Sequence, residues 1–395
     1  MRGSAFGFFN LLGGLAMLAA SIIAGGFKGV VTPVNRAGDV VCSTRAARSL
    51  AELEVAPELV IIAAAGDEVL KFAAEAVATG ARALLVLPAG PEQEGGEASL
   101  TQAERLLEIV RGGGLRMVGP SSLGVLNTAP EVSLNATFTG ARVRQGGLAI
   151  CSPSGAIGIG LLGHASARRL GVSMFASLGN RADVSTNDML ECWEQDERTA
   201  AVILYVESFG SPERFARIAR RVSRSKPILA VKGRRRAEQL LSEARSRTAA
   251  ALRGDTAVDA LLHQAGVLRF RGGEQLFDAA EFFERQPLPR GRRIGVVSNS
   301  AGVATLAADA CATRGLQVRE ASEAQNPLLV GINAGPDEYA ASIRELLGDS
   351  GIDALMVFYI DFYDGDPEAV LDVISAVSEG QPKPVVASVL RSDGR

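Results

Sequence analysis

Histidine is nearly absent. Only His164 and His263 occur in 395 residues. A tri-histidine metal site is therefore excluded, and any imidazole chemistry would rest on one of these two. Both lie in helical patterns with no obvious acidic neighbour to orient the ring, so each reads as a packed or surface helix residue. Cysteine is scarce as well. Cys42, Cys151, Cys192 and Cys311 lie far apart and form no CxxC pair. That spacing argues against a cysteine zinc site or a disulfide scaffold, and for four reduced, buried thiols in a cytosolic protein. Charge of one sign is lacking too: the formal net charge is -3, which gives no global pull toward nucleic acid. Mean hydropathy is +0.17, apolar for a soluble protein but below a polytopic membrane protein.

One long apolar run does occur, residues 5–27 (AFGFFNLLGGLAMLAASIIAGGF). Its length admits a signal peptide or a single membrane span. Asn10, Gly13, Gly14, Gly25 and Gly26 interrupt it, and it flows directly into Lys28-Gly-Val-Val-Thr-Pro-Val-Asn35, a turn, strand and loop. The reading adopted is a helix buried on most sides against a sheet, in a cytoplasmic protein without a membrane anchor.

Beyond that run, apolar strands alternate with helical patterns. Strands are expected at 30–34, 59–65, 83–87 and 115–118, with helices near 68–79 and 101–111. The rhythm restarts at Gly147, with strands at 148–151, 172–177, 200–206 and 227–231. It restarts again at Arg293, with strands at 294–298, 316–318, 354–359 and 384–389. Continuous apolar strands joined by helices indicate α/β units, each a parallel sheet covered on both faces. The connector Gln286-Pro-Leu-Pro-Arg-Gly-Arg292 reads as a linker. The expected organisation is three units: 1–130, 141–285 and 291–395.

Sheets of this kind bind ligands beyond the carboxyl ends of their strands. Three places qualify. Ser152-Pro-Ser154-Gly155-Ala156 follows a strand and opens a helix, so small residues and a helix N-terminus could hold an anion. A strand-to-helix turn needs small capping residues anyway, and on the residues alone both readings stand. Ser298-Asn299-Ser300-Ala301-Gly302 is a second turn of the type. Glu207 ends the strand AVILYV, where a carboxylate could orient a cation or act as a base, or could simply be a solvated loop residue. Lys and Arg crowd residues 214–253, with few acids among them. Such a patch suits a phosphate-rich ligand or is a solvated helix face. Phe215 is its one aromatic residue, too few for stacking on single-stranded nucleic acid.

Taken together, several stretches resemble the α subunit, or α-like half, of the ADP-forming (NDP-forming) acyl-CoA synthetases, relatives of succinyl-CoA synthetase. They are GGFKGVVTPVN (25–35), GPSSLGVLN (119–127), LNATF (134–138), GGLAICSPSGAIGIGLL (146–162), ASLGNRADV (176–184), AVILYVESF (201–209), KPILAVKGRRR (226–236), SRTAAALRGDTAVDALLHQAGVLR (246–269), LFDAAEFF (276–283) and IGVVSNSAGVATLAADA (294–310).

The resemblance implies a Rossmann-like CoA-binding domain at 1–130, whose first strand would be missing here. It implies two flavodoxin-like ligase domains at 141–285 and 291–395, the last stopping short of its final strands and helices. It also implies ligands: coenzyme A or acyl-CoA, a small carboxylic acid, and ATP/ADP only through an ATP-grasp partner in trans. The assembly would be a homo- or hetero-oligomer, with no bound metal, nucleic acid or membrane. Carried over by motif, Ser152, Ser154, Gly155 and Ala156 would hold phosphate. Glu207 would orient the phosphohistidine. Pro33, Asn35, Gly119, Pro120, Ser121 and Ser122 would line the CoA or acyl pocket.

Two matches fail. The family's Gly-Pro-Asn-Cys turn is Gly-Pro-Ser121-Ser122 here, and its Ser-His-Thr motif is Ser246-Arg247-Thr248. A guanidinium stays protonated at physiological pH and cannot carry a phosphoryl group. Arg247 could instead pair with Glu207 or clamp a carboxylate or phosphate. The expected function is CoA-dependent ligase or acyl-transfer chemistry without the phosphohistidine. The alternative is an inactive relative that senses a ligand or supports a partner subunit.

Overall fold

The computed structural model describes residues 6–9, 18, 21–23, 25–36, 40–41, 43–64, 66–87, 97–233, 255–318, 325–362 and 365–390. These form two compact units, residues 1–284 and 285–395.

The first sheet is built from β1 (Phe6–Phe9), β2 (Val31–Pro33), β5 (Leu59–Ile62), β6 (Ala83–Val86) and β7 (Arg116–Val118), in the order β2-β1-β5-β6-β7. All its pairings are parallel. A two-stranded hairpin of β3 (Val40–Val41) and β4 (Thr44–Arg45) lies beside it in sequence. The strand expected to be missing is present: Phe6–Phe9 pairs with β2 on one side and β5 on the other. A four-residue strand at the head of an apolar run cannot be told from the start of a buried helix by periodicity. The helical reading holds further along, where Leu18 and Ile22 are buried against Ile61 and Leu85. Among the described residues, no helix is long and apolar enough to cross a membrane.

Helices α1 (Glu68–Ala78) and α2 (Glu97–Gly112) cover the opposite face, setting Phe72, Ala76, Leu106 and Val110 against Val60, Ile62, Leu84 and Val86. Adjacent residues on one strand thus enter different cores, which is why these strands read as unbroken apolar runs.

The second sheet has seven strands: β8 (Gly124–Asn127), β9 (Leu134–Thr137), β10 (Arg144–Ser152), β11 (Gly171–Ser177), β12 (Ala201–Val206), β13 (Ile228–Lys232) and β14 (Val267–Phe270). Their order is β14-β13-β12-β10-β11-β8-β9. Strands β10 to β14 are parallel, whereas β8 and β9 form an antiparallel hairpin on β11. That hairpin also buries Leu134 and Ala136 against the first sheet, so the two sheets share a core. Its short alternating strands gave no signal strong enough to stand out in the sequence.

One face of the second sheet packs α4 (Thr186–Gln195), α5 (Pro212–Val222) and α6 (Asp255–Gln264) through Trp193, Phe215, Ile218 and Leu262. The other packs α3 (Gly155–Ala167) and α7 (Gly273–Arg285) through Leu162, Ala165, Leu276 and Phe277. Each of these large side chains removed from water is worth about 1.5–3 kcal/mol.

The second unit has a parallel sheet ordered β16-β15-β17-β18, from β15 (Ile294–Ser298), β16 (Leu328–Leu329), β17 (Ala354–Ile360) and β18 (Val385–Leu390). Helix α8 (Ala301–Ala312) covers one face, and α9 (Pro336–Gly348) and α10 (Pro367–Ser378) the other. The strand expected at 316–318 is reduced to a single bridge between Gln317 and Arg293.

Candidate functional site

Four loops leave the carboxyl ends of β7, β10, β11 and β12, and three of them are joined by direct bonds. The turn after β7 is the tightest. Gly119 and Ser121 take left-handed φ of 103° and 61°, followed by Gly124 at 111°. The Ser122 hydroxyl is buried, donates to the Ser177 carbonyl (2.5 Å) and accepts from the Gly124 amide (3.0 Å). The Ser177 hydroxyl accepts from the Leu123 amide at 3.0 Å. Leu123 lies over Gly155, where an added Cβ would come within 2.5 Å of its Cγ and Cδ1. The loop after β11 closes on the same turn: the Asn180 and Ala182 amides donate to the Pro120 and Gly119 carbonyls (2.9 and 3.3 Å). Gly119, Pro120 and Ser122 are buried, leaving Ser121 as the partly exposed member of the four.

At the head of α3, the Ser152 hydroxyl is fully buried and donates to the Ser154 carbonyl at 2.6 Å. The Ser154 hydroxyl caps the helix, accepting from the Ile157 amide at 3.5 Å. The two serines thus shape the loop, while Gly155 and Ala156 open to solvent at the helix N-terminus. Backbone N–H groups and the helix dipole give that end partial positive charge. Beneath, burial pushes the Cys151 thiol up to about 12 despite a hydrogen bond with Thr186 and the nearby Arg181 charge.

Pro33 and Asn35 are buried at the carboxyl end of β2, where the Asn35 amide donates to the Ala47 carbonyl (2.7 Å) and the Ala47 amide to Pro33 (3.0 Å). That is the far edge of the first sheet from Gly119. Four interstrand steps of about 4.8 Å put them roughly 19 Å apart. A cavity of about 750 Å³ opens beside β2, with Thr32, Arg45 and Arg48 in its lining. Arg36, which follows Asn35, is engaged with Glu68 and Glu75 over the Phe72 ring.

Glu207 is exposed directly after β12. Its carbonyl accepts from Lys232 Nζ at 2.8 Å, and the Ser208 carbonyl accepts from Arg181 Nη1 at 2.8 Å. Arg247, with residues 234–254, lies outside the described residues.

Among the described residues, several cations of the basic stretch are structural. Arg214 reaches Asp188 and Glu191, Arg221 binds Glu194, and Arg220 donates to the Gln264 carbonyl. Lys226 Nζ holds the Trp193 and Asp196 carbonyls at the end of α4. Histidine is structural in one case at least: His164 stacks on Phe277 with centroids 4.5 Å apart. Cys151 and Cys311 are buried, but Cys192 is exposed, contrary to the expectation of four buried thiols. It sits on the outer face of α4, a placement that scattered spacing does not reveal.

Arg181 and Asp183 were not singled out by sequence. Asp183 accepts from Arg116 Nε and the Met117 amide, both at 2.9 Å, and from Arg111. Their motif, ASLGNRADV, was visible, but nothing in it tells a ligand-facing charge from a tether.

Residues 16–128 match the family described as CoA binding domain, and residues 145–283 match the succinyl-CoA ligase like flavodoxin domain. The acetate–CoA ligase [ADP-forming] I subunit alpha of Pyrococcus furiosus is 28% identical, over 94% of this chain and 84% of its own length. The 4-hydroxybutyrate–CoA ligase [ADP-forming] of Nitrosopumilus maritimus is 31% identical over 76% of this chain, which spans only 43% of that longer relative. Among solved structures, the dinucleotide-forming acetyl-coenzyme A synthetase 1 of Ca. Korarchaeum cryptofilum superposes with a TM-score of 0.84 at 26% identity. That match covers 98% of this chain and 88% of that one.

Proposed function

Because this chain belongs to the NDP-forming acyl-CoA synthetase superfamily, the relatives of succinyl-CoA synthetase α subunits, we propose that it binds CoA or acyl-CoA and performs acyl-CoA synthetase-type acyl transfer without a phosphohistidine. One observation carries this reading. The turn closing the first sheet, Gly119–Ser122, is bonded to the loop after β11 and packed through Leu123 on Gly155, so a CoA-binding sheet and an anion-binding helix end share one mouth.

The first sheet suits a nucleotide-bearing thiol. Its chain order reverses at β1, the topological switch point where such ligands bind, and Arg45 and Arg48 line the cavity beside the edge strand β2. CoA, when bound, supplies the sulfur that gives or takes the acyl group. In this proposal Pro33 and Asn35 flank its far end and Ser121 its near end. Gly155 and Ala156 hold a phosphate or acyl phosphate on their amides, with Ser152 and Ser154 fixing the loop. Glu207 pairs with Arg247, which holds the anion in place of a phosphorylated side chain.

ATP-linked turnover belongs to an ATP-grasp protein in trans, and the relatives named as α subunits favour such a partner. The same reading places the protein in the cytoplasm and within a homo- or hetero-oligomer. It assigns CoA binding to 1–130 and the ligase folds to 141–285 and 291–395.

The test is calorimetry and thermal shift with CoA and acetyl-CoA, followed by assay of CoA acylation from acetyl phosphate without nucleotide. Binding and nucleotide-free transfer are expected. Absence of heat and of any shift with both ligands would overturn the reading. Arg247→His supplied with an ATP-grasp partner should gain acid-labile, alkali-stable label from ATP, which the natural chain does not acquire.

A further inference from the structure

We infer that Arg181 and Lys232 are positioning residues that fix Glu207 relative to the phosphate-binding and CoA-facing loops. The inference rests on the functional reading above and extends it to two residues that reading leaves unused.

Glu207 stands where the strand ladder runs out. The last bond of the β12–β13 ladder is the Gly233 amide donating to the Val206 carbonyl at 3.1 Å. Beyond it the chain turns through Ser208, Phe209 and Gly210, the last with a φ of +64°, toward α5. A carboxylate on such a turn would wander unless its backbone were held. Phe209 packs on Phe215 with centroids 4.9 Å apart, and the carbonyls before it are held twice, each time by a cation on a different element. Lys232, the last residue of β13, donates to the Glu207 carbonyl, and Arg181 donates to the Ser208 carbonyl, both at 2.8 Å. Charged donors make the stronger hydrogen bonds to carbonyls, so these tethers resist displacement more than neutral ones would.

Arg181 carries a second sign of a specific task. Its φ is +56°, a left-handed conformation that glycine or asparagine adopts more readily than arginine. The amides on either side, Asn180 and Ala182, donate to the Pro120 and Gly119 carbonyls, and Gly179 is pressed so close to Pro120 and Ser121 that a Cβ would lie 2.1 Å from the Pro120 carbonyl oxygen. The strained residue is therefore over-determined by its neighbours, as strained residues at functional sites are. If the turn alone mattered, glycine would serve. What arginine adds is the reach to Ser208. The result is a continuous link: the Gly119–Ser122 turn holds the backbone around Arg181, the Arg181 side chain holds Ser208, and Ser208 adjoins Glu207. Neither Arg181 nor Lys232 needs to touch ligand to act.

The decisive variant is Arg181→Gly, which removes the side chain while easing the backbone and so should fold. Arg181→Lys keeps a cation, and Lys232→Met removes the second tether. With the full chain, acyl transfer from acetyl phosphate to CoA, CoA affinity by calorimetry, and hydrogen exchange of the segment 206–212 are measured together. Arg181→Gly and Lys232→Met should each lower kcat about 10- to 100-fold, as misplacement of a reacting group does, with CoA affinity within about twofold. Exchange should accelerate at 208–210, and Arg181→Lys should recover most of the rate. Unchanged exchange and unchanged kcat in Arg181→Gly would overturn the inference, as would losses that merely follow a fall in melting temperature. If the natural chain binds no CoA and transfers no acyl group, the functional reading fails, and the exchange difference alone then decides the tether.

Discussion

Arg116 Nε donates to Asp183 Oδ2 at 2.9 Å, one of several bonds that bridge the two sheets of the first unit. Arg116 opens β7, whereas Asp183 lies in the loop after β11. The Asp183 side chain is 4% exposed, receives Arg111 on its other oxygen and accepts the Met117 amide. The arginines are more than half exposed, so the aspartate is the irreplaceable side of the pair. The bond keeps the guanidinium of Arg116 charged above its ordinary range, even against the cost of its partial burial.

Asp183→Ala should therefore cost about 2–3 kcal/mol, because it leaves the Met117 amide without its side-chain acceptor and removes the carboxylate that Arg111 and Arg116 share, Arg116 keeping only Asp188. Arg111→Ala should cost under about 1 kcal/mol, as exposed pairs do. Urea unfolding of both variants provides the comparison. An Asp183→Ala penalty no larger than that of Arg111→Ala would show that the clamp contributes little.

Gly155 is glycine because Leu123 occupies the space a side chain would need. Gly155→Ala is expected to destabilise by about 1–3 kcal/mol through overpacking. Adding Leu123→Ala should give back part of that loss, so the two changes are non-additive. Strict additivity in a thermal-unfolding cycle would mean that the close approach is not what the glycine serves.

The second unit should be acid-sensitive through Asp353. Arg293 donates to it with its backbone amide, Nε and Nη2, and these bonds hold the carboxyl down at about 2. An unfolded aspartate titrates near about 3.9. Since the folded value is the lower one, the stabilisation is complete above about pH 4 and is lost as pH falls toward 2. Asp353→Asn should flatten that part of the stability profile measured by chemical unfolding at stepped pH. Equal pH dependence in both proteins would refute the assignment.

The thiols should separate by reactivity. Burial lifts both Cys151 and Cys192 above the ordinary thiol range, but only Cys192 reaches solvent. Because the thiolate is the reacting form, iodoacetamide at mildly alkaline pH should label Cys192 slowly and Cys151 not at all until the protein unfolds. Peptide mapping that finds Cys151 modified in the native protein would contradict the buried placement.

Local pattern alone was enough for a large share of this molecule. Runs such as LVII, ALLV and AVILYV declare strands buried on both faces, because apolarity without alternation has no other use in a sheet. The small residues at 152–156 and the helix that follows were legible for the same local reason. The scarcity of histidine, with Arg247 in the stretch SRT, was likewise plain without any coordinates, since residue identity does not depend on folding. Tertiary structure decided everything that depends on what approaches what. It put Phe6–Phe9 at an interior position of the first sheet, gave the hairpin of β8 and β9 to the second, and spent Arg214 and Arg221 on the acids of α4. It also turned Arg181 from one charge in a motif into a tether for the Glu207 turn. Burial is written along the chain in its apolar periodicity. Partner choice is not, because hydrogen bonds and ion pairs form between residues that meet only after the sheets have assembled.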